Sequence, residues 1–154
     1  MNTGSILAIS GPVVDCGFLP GCLPTIREAL HVEVHGETRV MEVVQHLSDT
    51  KVRCVLLGTS ENLSRGMQVD AAGSGIRVPV GKNTLGRMFN VLGEPIDGED
   101  PLPHETMQWE IHRKAPAFSD LRPATEVLET GIKVIDLLEP YPKGGKIGLF
   151  GGAG

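Results

Sequence analysis

The fold is decided by the stretch His31-Val-Glu-Val-His-Gly-Glu-Thr-Arg-Val-Met-Glu-Val-Val-Gln-His-Leu47. Apolar and polar residues alternate from His31 to His35, which is the pattern of a half-buried strand. We predict a turn at Gly36-Glu37 and a returning strand over residues 38–47. The stretch therefore predicts a β-hairpin.

Similar short apolar segments flank the hairpin on both sides. They span residues 5–9, 13–15, 51–57 and 66–72. About six short strands at this spacing, without a long helix, predict a small closed barrel. Closure would leave no unpaired edge strand. We expect the barrel to occupy residues 1–73, because the sequence becomes rich in glycine and proline from Gly73 onward.

The histidines and cysteines do not favour a metal site. His31 and His35 would share one face of the predicted strand, and joint metal binding is one interpretation of that placement. Solvated strand residues are the preferred interpretation, because no carboxylate or cysteine cluster completes a site. The three cysteines, Cys16, Cys22 and Cys54, form no C-x-x-C pair and are expected to be reduced, partly buried thiols.

A short helix is predicted soon after residue 73. Leu85, Met88 and Phe89 fall at helical spacing, and Met88 and Phe89 are expected in a core. A turn is predicted at Asp97-Gly98. The stretch from Glu99 to Pro123 is expected to run along another surface, anchored by Trp109 and Ile111.

A second helix signal extends from Ala124 to Glu139, with the helix proper beginning at Glu129 or Thr130 and ended by Pro140 and Pro142. Gly131 weakens its first turn. Its apolar stripe consists of Leu128, Ile132, Ile135 and Leu138. Asp136 borders this stripe and is interpreted as a surface or helix–loop contact.

The stretch Lys143-Gly-Gly-Lys-Ile-Gly-Leu-Phe-Gly-Gly-Ala-Gly154 is predicted to be a turn, a short strand at Ile147–Phe150 and the beginning of a glycine-rich loop. Phosphate-binding loops begin in this way, with the pattern G-x-x-x-x-G-K-[ST]. Gly151 serves as the first glycine of that pattern. Taken alone, the last four residues fit a phosphate loop and a flexible glycine tail equally well, and the preceding strand favours the phosphate loop.

Composition and charge narrow the classes of function. The chain has 154 residues, a net charge of -5 and six aromatic residues, so a basic, aromatic nucleic-acid surface is disfavoured. We expect neither a secretory signal nor a transit peptide at the N-terminus, and no apolar run in the sequence is long enough to span a membrane. Four cations could steer an anionic nucleotide, although solvated surface charge is the favoured interpretation of each: Lys82, Arg87, Lys133 and Lys146.

Several of these stretches together resemble the N-terminal part of the β subunits of F-type ATP synthases. The matching stretches are Gly11-Pro-Val-Val-Asp15, Val78-Pro-Val-Gly81, Thr84-Leu-Gly-Arg-Met-Phe-Asn-Val-Leu-Gly-Glu-Pro-Ile-Asp97, Ile111-His-Arg113, Leu128-Glu-Thr-Gly-Ile-Lys-Val-Ile-Asp-Leu-Leu138 and Lys143 to Gly154. The related α subunits and the vacuolar, secretion and flagellar ATPases share the architecture. The stretch from residue 140 to Gly154 looks like the catalytic β type.

The resemblance implies a six-stranded N-terminal barrel, followed over residues 74–154 by the start of a RecA-like α/β P-loop domain. It implies ATP or ADP with Mg²⁺ as ligands and ATP synthesis or hydrolysis coupled to proton or sodium-ion translocation. Gly151, Gly152, Ala153 and Gly154 would form the first half of the phosphate loop. The family's catalytic and metal-binding residues match no position in this sequence, so this chain alone is expected to be inactive.

The resemblance also implies partners. These would be α subunits alternating with β subunits in a hexamer, the γ subunit and other F1 subunits, and a membrane sector contacted through the complex, on the cytoplasmic side of the inner membrane. Val40 to Val44 has apolar residues on both faces, so one face would pack the barrel and the other a neighbour. A non-enzymatic assembly module is the alternative, and a hexameric nucleic-acid translocase is a third, disfavoured by the acidic charge.

Overall fold

The structure is a computed structural model that describes residues 2–121 and 126–152. The chain divides into two compact units, one ending at Arg113 and the other beginning at Lys114. The predicted domain boundary at Gly73 therefore lies within the first unit. The division of the chain into two domains at Gly73 stays a prediction.

Six antiparallel strands close into a barrel in the first unit, which confirms the predicted barrel. Around the barrel the strand order is β1-β2-β5-β4-β3-β6, and β6 pairs with β1 to complete the circle. The strands are β1 (Asn2–Ser10), β2 (Val13–Gly17), β3 (Glu28–Val34), β4 (Glu37–His46), β5 (Lys51–Leu56) and β6 (Gln68–Gly75).

The β3–β4 hairpin is present, but its turn lies one residue earlier than predicted. Val34 pairs with Glu37, so the loop consists of His35 and Gly36. Both have positive φ, 52° and 85°, as in the type I′ turn that matches the twist of a two-residue hairpin. The prediction that His31 and His35 share a strand face is wrong, because His35 lies in the turn.

The barrel interior is filled by residues that alternate along each strand. Leu30 and Val32 of β3, and Met41 and Val43 of β4, are fully or almost fully buried. Val44 follows the buried Val43 where the pairing with β5 shifts register, and its side chain is 42% exposed. Strand β4 therefore presents an apolar side chain outside the barrel as well as inside.

The cysteines are free, as expected, and two of them lie inside the barrel. Cys16 Sγ lies 3.9 Å from Met41 Sδ. A hydrogen bond with the Cys16 thiol, together with burial, raises the pKa of the Cys54 thiol. A buried thiol with a raised pKa behaves as a small apolar side chain rather than a nucleophile.

A buried carboxylate ties the β2–β3 connection to the end of β6. Glu28 is only 7% exposed, and its carboxylate accepts hydrogen bonds from the Thr25 N–H (2.7 Å), the Thr25 hydroxyl (3.0 Å) and the Gly73 N–H (2.9 Å). These donors compensate the cost of removing the carboxylate from water. Gly73 itself has a φ of 74°, which suits glycine.

The rest of the first unit is a short ribbon beside irregular loops. Strand β7 (Arg77–Pro79) pairs with β8 (Gln108–Glu110), and Trp109 lies opposite Val78. The Ile111 N–H donates to the Ile76 carbonyl, so the stretch after Glu99 is held at Trp109 and Ile111 as predicted, although both side chains stay partly exposed.

The helix predicted around Met88 is wrong. A single 3₁₀ turn spans Lys82–Thr84, and the backbone is extended at Leu85. Gly86 then has a φ of 75°, outside the helical region, and Phe89 forms a bridge with Pro95. Phe89 is half-buried, but Met88 is 60% exposed, so its predicted place in the core is also wrong.

The second unit contains less regular structure than predicted. It has a 3₁₀ turn (Phe118–Asp120), strands β9 (Val127–Leu128) and β10 (Tyr141–Pro142), which pair, and helix α1 (Lys133–Leu138). The helix predicted to begin at Glu129 or Thr130 begins only at Lys133, because Gly131 adopts a φ of 79°. Leu128 of the predicted apolar stripe lies in β9. Residues 124–125 of that prediction lie outside the described residues.

The strand predicted at Ile147–Phe150 is also wrong. The backbone there is irregular, and the Phe150 side chain is 99% exposed. An isolated strand leaves its N–H and C=O groups without partners, so it forms only beside a neighbour. Helix α1 ends before Pro140, as predicted, and none of the helices in the described ranges is long and apolar enough to cross a membrane.

We predict that Met41→Ala destabilises the barrel by about 2–5 kcal/mol, because Met41 is fully buried and its truncation leaves a cavity. Denaturant unfolding followed by far-UV circular dichroism measures this change. Leu19→Ala is the control, because Leu19 is 70% exposed and should shift the free energy of unfolding by less than about 0.5 kcal/mol. Equal effects of the two substitutions would contradict the barrel core described above.

Candidate functional site

The approach to the predicted phosphate loop begins with a tight turn, as the sequence predicts. The Gly145 N–H donates to the Pro142 carbonyl at 3.0 Å, and Gly144 has a φ of 80°. A Cβ on Gly145 would lie 2.6 Å from Pro142 Cγ, so a side chain there would force the turn to move. Both glycines are therefore required by local geometry, independently of any ligand.

The loop itself is described only at its first two residues. Gly151 and Gly152 lie in irregular, exposed backbone, and among the described residues other than their chain neighbours none has a heavy atom within 4 Å of where a Cβ would stand on either. Ala153 and Gly154, the other two predicted loop residues, lie outside the described residues. The structure therefore leaves room around Gly151 and Gly152, and the phosphate-binding role of all four residues stays a prediction.

Asp136 organises the segment before helix α1. Its carboxylate accepts hydrogen bonds from the Thr130 hydroxyl (2.7 Å), the Thr130 N–H (3.0 Å) and the Gly131 N–H (2.9 Å). These bonds, first of all the one from the Thr130 side chain, lower the pKa of Asp136. The interpretation of Asp136 as a helix–loop contact is confirmed.

An apolar cleft of about 550 Å³ lies within the second unit, between helix α1 and the segment that follows β10. Val134, Leu138, Tyr141 and Leu149 line it, and Lys146 is the cation at its wall. A phosphate group needs several converging N–H donors or cations, and this lining supplies few. The cleft therefore does not fit a phosphate.

In the first unit, a charged pair fixes the loop that follows Thr84. Arg87 Nε donates to Asp97 Oδ2 at 2.6 Å and Arg87 Nη2 to Asp97 Oδ1 at 2.9 Å, with both side chains largely removed from solvent. The Met88 N–H and the Glu99 N–H donate to the same carboxylate, at 3.0 and 3.2 Å. The interpretation of Arg87 as a solvated cation is wrong, whereas the predicted turn at Asp97-Gly98 is present.

A second polar residue closes the tip of this loop. Asn90 Oδ1 accepts hydrogen bonds from the Leu92 and Glu94 N–H groups, both at 2.9 Å, and Asn90 Nδ2 donates to the Glu94 carboxylate at 2.7 Å. A side-chain amide bonded to the backbone two residues later mimics a turn. These Asn90 hydrogen bonds are not predicted in the sequence analysis, although an asparagine before a glycine-containing turn often indicates a side-chain bond to the backbone.

The end of the first unit carries a paired histidine and a stacked arginine. His112 Nε2 lies 2.7 Å from the Glu42 carboxylate on strand β4, and the Arg113 guanidinium lies 3.5 Å from the centre of the Trp109 ring. Within residues 2–121 and 126–152, no group of three or more His, Cys, Asp and Glu side chains converges in a way that could hold a metal ion.

Comparison with known families identifies the barrel. Residues 6–73 match the model of the β-barrel domain of the ATP synthase alpha/beta family. The match covers strands β2 to β5 completely, β1 from Ile6 onward and β6 as far as Gly73, and the closed six-stranded topology agrees with it. The barrel is therefore similar to the β-barrel domain of this family, and the match applies to α and β subunits alike.

We predict that the Arg87–Asp97 pair contributes stability that is lost in acid. The Arg87 side chain, followed by the backbone donors, holds the pKa of Asp97 well below its ordinary value of 3.8. A lowered pKa in the folded state stabilises the protein above the unfolded pKa, and this contribution disappears as the pH falls through the folded pKa. The protection of the Met88 and Glu99 amides, relative to their intrinsic exchange rates at each pH, should therefore fall progressively as the pH drops below about 4.

Asp97→Asn is the matched variant for this measurement, because the amide keeps the shape of the carboxylate without its charge. We expect lower protection of both amides at pH 7 in the variant and a smaller further loss of protection in acid. Asp49→Asn serves as the control at an exposed carboxylate in the β4–β5 turn. Identical pH profiles for the protein and Asp97→Asn would show that the pair does not hold the loop.

Proposed function

We propose that this chain contributes to the catalytic β subunit of an F-type ATP synthase, which makes ATP from ADP and phosphate, or hydrolyses it, coupled to proton or sodium-ion translocation. The single observation that carries the proposal is the match of residues 6–73 to the alpha/beta-family barrel. The choice of the β type is supported by the sequence from Lys143 to Gly154, which resembles the catalytic subunits.

The proposed nucleotide site begins at Gly151. Phosphate loops bind through backbone N–H groups, and glycine leaves those groups accessible because it has no side chain. Gly151 and Gly152 lie in exposed backbone, which is compatible with this role. Ala153 and Gly154 are assigned to the same loop on sequence alone. ATP or ADP with Mg²⁺ would supply the phosphates that these N–H groups bind, and none of the described residues is assigned a catalytic or metal-binding role.

The residues before the loop would set its position. The turn at Gly144-Gly145 reverses the chain, and the β9–β10 ribbon and the Asp136 hydrogen bonds hold the segment that precedes it. These interactions are local and do not require a nucleotide. We infer that they place the entrance of the loop before any ligand binds.

An assembly role is the second candidate, and the exterior of strand β4 favours it. Val44 is an apolar residue exposed on a barrel that has no open edge, so it can pack against a neighbour without disturbing strand pairing. We propose that the neighbours are α subunits alternating with β subunits, with the γ subunit, other F1 subunits and a membrane sector joined through the complex. The same chain can serve in both roles.

We predict that this chain binds a purified F-type α subunit and that Val44→Asp weakens the complex at least about tenfold, because the substitution buries a charge at the contact. Size-exclusion chromatography with native mass spectrometry measures the complex. Leu121→Asp is the matched control, since it adds the same charge at an exposed apolar residue of the second unit.

The outcomes separate the two parts of the proposal. Association with a β-type subunit in preference to the α-type subunit would contradict assignment of this chain to the β subunit. Equal affinity of Val44→Asp and the unsubstituted chain for the α subunit would contradict assembly through strand β4 and leave the subunit assignment standing.

A further inference from the structure

In the loop from Leu85 to Asp97, the side chains of Arg87, Asn90 and Asp97 form hydrogen bonds within the loop, whereas several apolar side chains are exposed. Its exposed large apolar side chains are Leu85, Met88, Val91 and Ile96. We call these four residues the loop patch.

Part of the loop patch is contiguous by backbone register. Phe89 and Pro95 form an antiparallel bridge, and the Ile96 N–H donates to the Met88 carbonyl at 2.9 Å. Residues directly opposite each other in an antiparallel pair project to the same face, so Met88 and Ile96 lie side by side. They are 60% and 57% exposed.

The loop patch is held in place before any partner arrives. The Asp97 carboxylate accepts four hydrogen bonds, two from Arg87 and one each from the Met88 and Glu99 N–H groups. Ordering a mobile loop on binding costs free energy, and a loop already fixed by such bonds avoids much of that cost. Exposed apolar side chains on a fixed loop are characteristic of a protein contact surface.

The charges around the loop patch select the chemistry of the partner. Glu94, Glu99 and Asp100 are exposed beside it and outnumber Lys82, the exposed cation three residues before Leu85. Two arginines next to the loop patch are paired, Arg87 with Asp97 and Arg39 with Glu37. An acidic rim attracts lysine and arginine and repels phosphate backbones and anionic lipid headgroups.

We propose that the loop patch is a docking surface for a partner-protein segment that presents apolar side chains flanked by lysine or arginine. This proposal is independent of the nucleotide site proposed above, because it uses none of the residues from Lys143 onward and needs no nucleotide.

The probe is a synthetic amphipathic peptide of about 12 residues, roughly three helical turns, built from leucine and lysine. Its counterpart replaces each lysine with glutamate. Titration into the isotopically labelled chain, followed by backbone amide NMR shifts, gives the affinity and the location of binding. We expect the lysine peptide to shift amides from Leu85 to Asp100, with an affinity that falls as ionic strength rises from roughly 0.05 M to roughly 0.5 M.

Substitutions test whether the loop patch itself binds the peptide. Met88→Ser combined with Ile96→Ser should weaken binding at least about tenfold, because truncating central apolar side chains of a contact has effects of that order. Leu19→Ser is the matched control, since it removes an equally exposed apolar side chain from the barrel and should leave the affinity unchanged. Glu99→Gln combined with Asp100→Asn should reduce the salt dependence.

Four results would overturn the proposal. They are equal affinity for the lysine and glutamate peptides, shifts spread over the barrel rather than the loop, unchanged affinity of the Met88→Ser, Ile96→Ser variant, and no binding of the lysine peptide. Binding of the chain to phosphatidylcholine vesicles through the same residues, without binding of the peptide, would show that the loop patch contacts a lipid surface instead. None of these results depends on whether the chain binds an α subunit or a nucleotide.

Discussion

Closure of the sheet between β1 and β6 is the constraint on which the barrel depends. Asn2 to Ser5 pairs with residues 68–71 at the other end of the barrel sequence, so the first strand finds its partner across almost the whole domain. Once the circle is complete, every strand has two neighbours and the interior side chains are removed from water together. The buried Glu28 carboxylate also accepts hydrogen bonds from Gly73 of β6 and from Thr25 in the β2–β3 connection. These bonds hold the end of β6 against that connection.

The barrel was predictable because its signals are local. Apolar and polar residues alternate along β3 and β4, and a glycine marks the turn between them, so the hairpin can be predicted from a few neighbouring residues. Six short strands of this kind favour a closed barrel. The turn was misplaced by one residue because the sequence His35-Gly36-Glu37 supports two adjacent positions. The structure selects the one in which His35, a residue type tolerated at positive φ, takes the first turn position.

The loops after the barrel were harder to predict because their stabilising contacts are polar and specific. Helical spacing of Leu85, Met88 and Phe89 implied a buried stripe, yet Gly86 breaks the helix and Arg87 reaches Asp97, ten residues along the chain. Periodicity records where apolar residues fall, and it does not record which backbone N–H groups a carboxylate will bind. The same limit applies to Asp136, whose bonds to Thr130 and Gly131 replace the first turns of the predicted helix.

The glycine-rich end of the chain shows what a short motif leaves undetermined. Gly144 and Gly145 are required by the turn that contains them, whereas no atom of the residues that the structure describes crowds a Cβ position at Gly151 or Gly152. The geometry of a phosphate loop is imposed by the strand that enters it and the helix that leaves it. The strand predicted at Ile147–Phe150 does not form, because a central strand is stabilised by neighbours on both sides and nothing in the described ranges pairs with it. Gly151 and Gly152 are compatible with the predicted phosphate-binding loop. Its binding geometry would also require a strand before the loop and a helix after it.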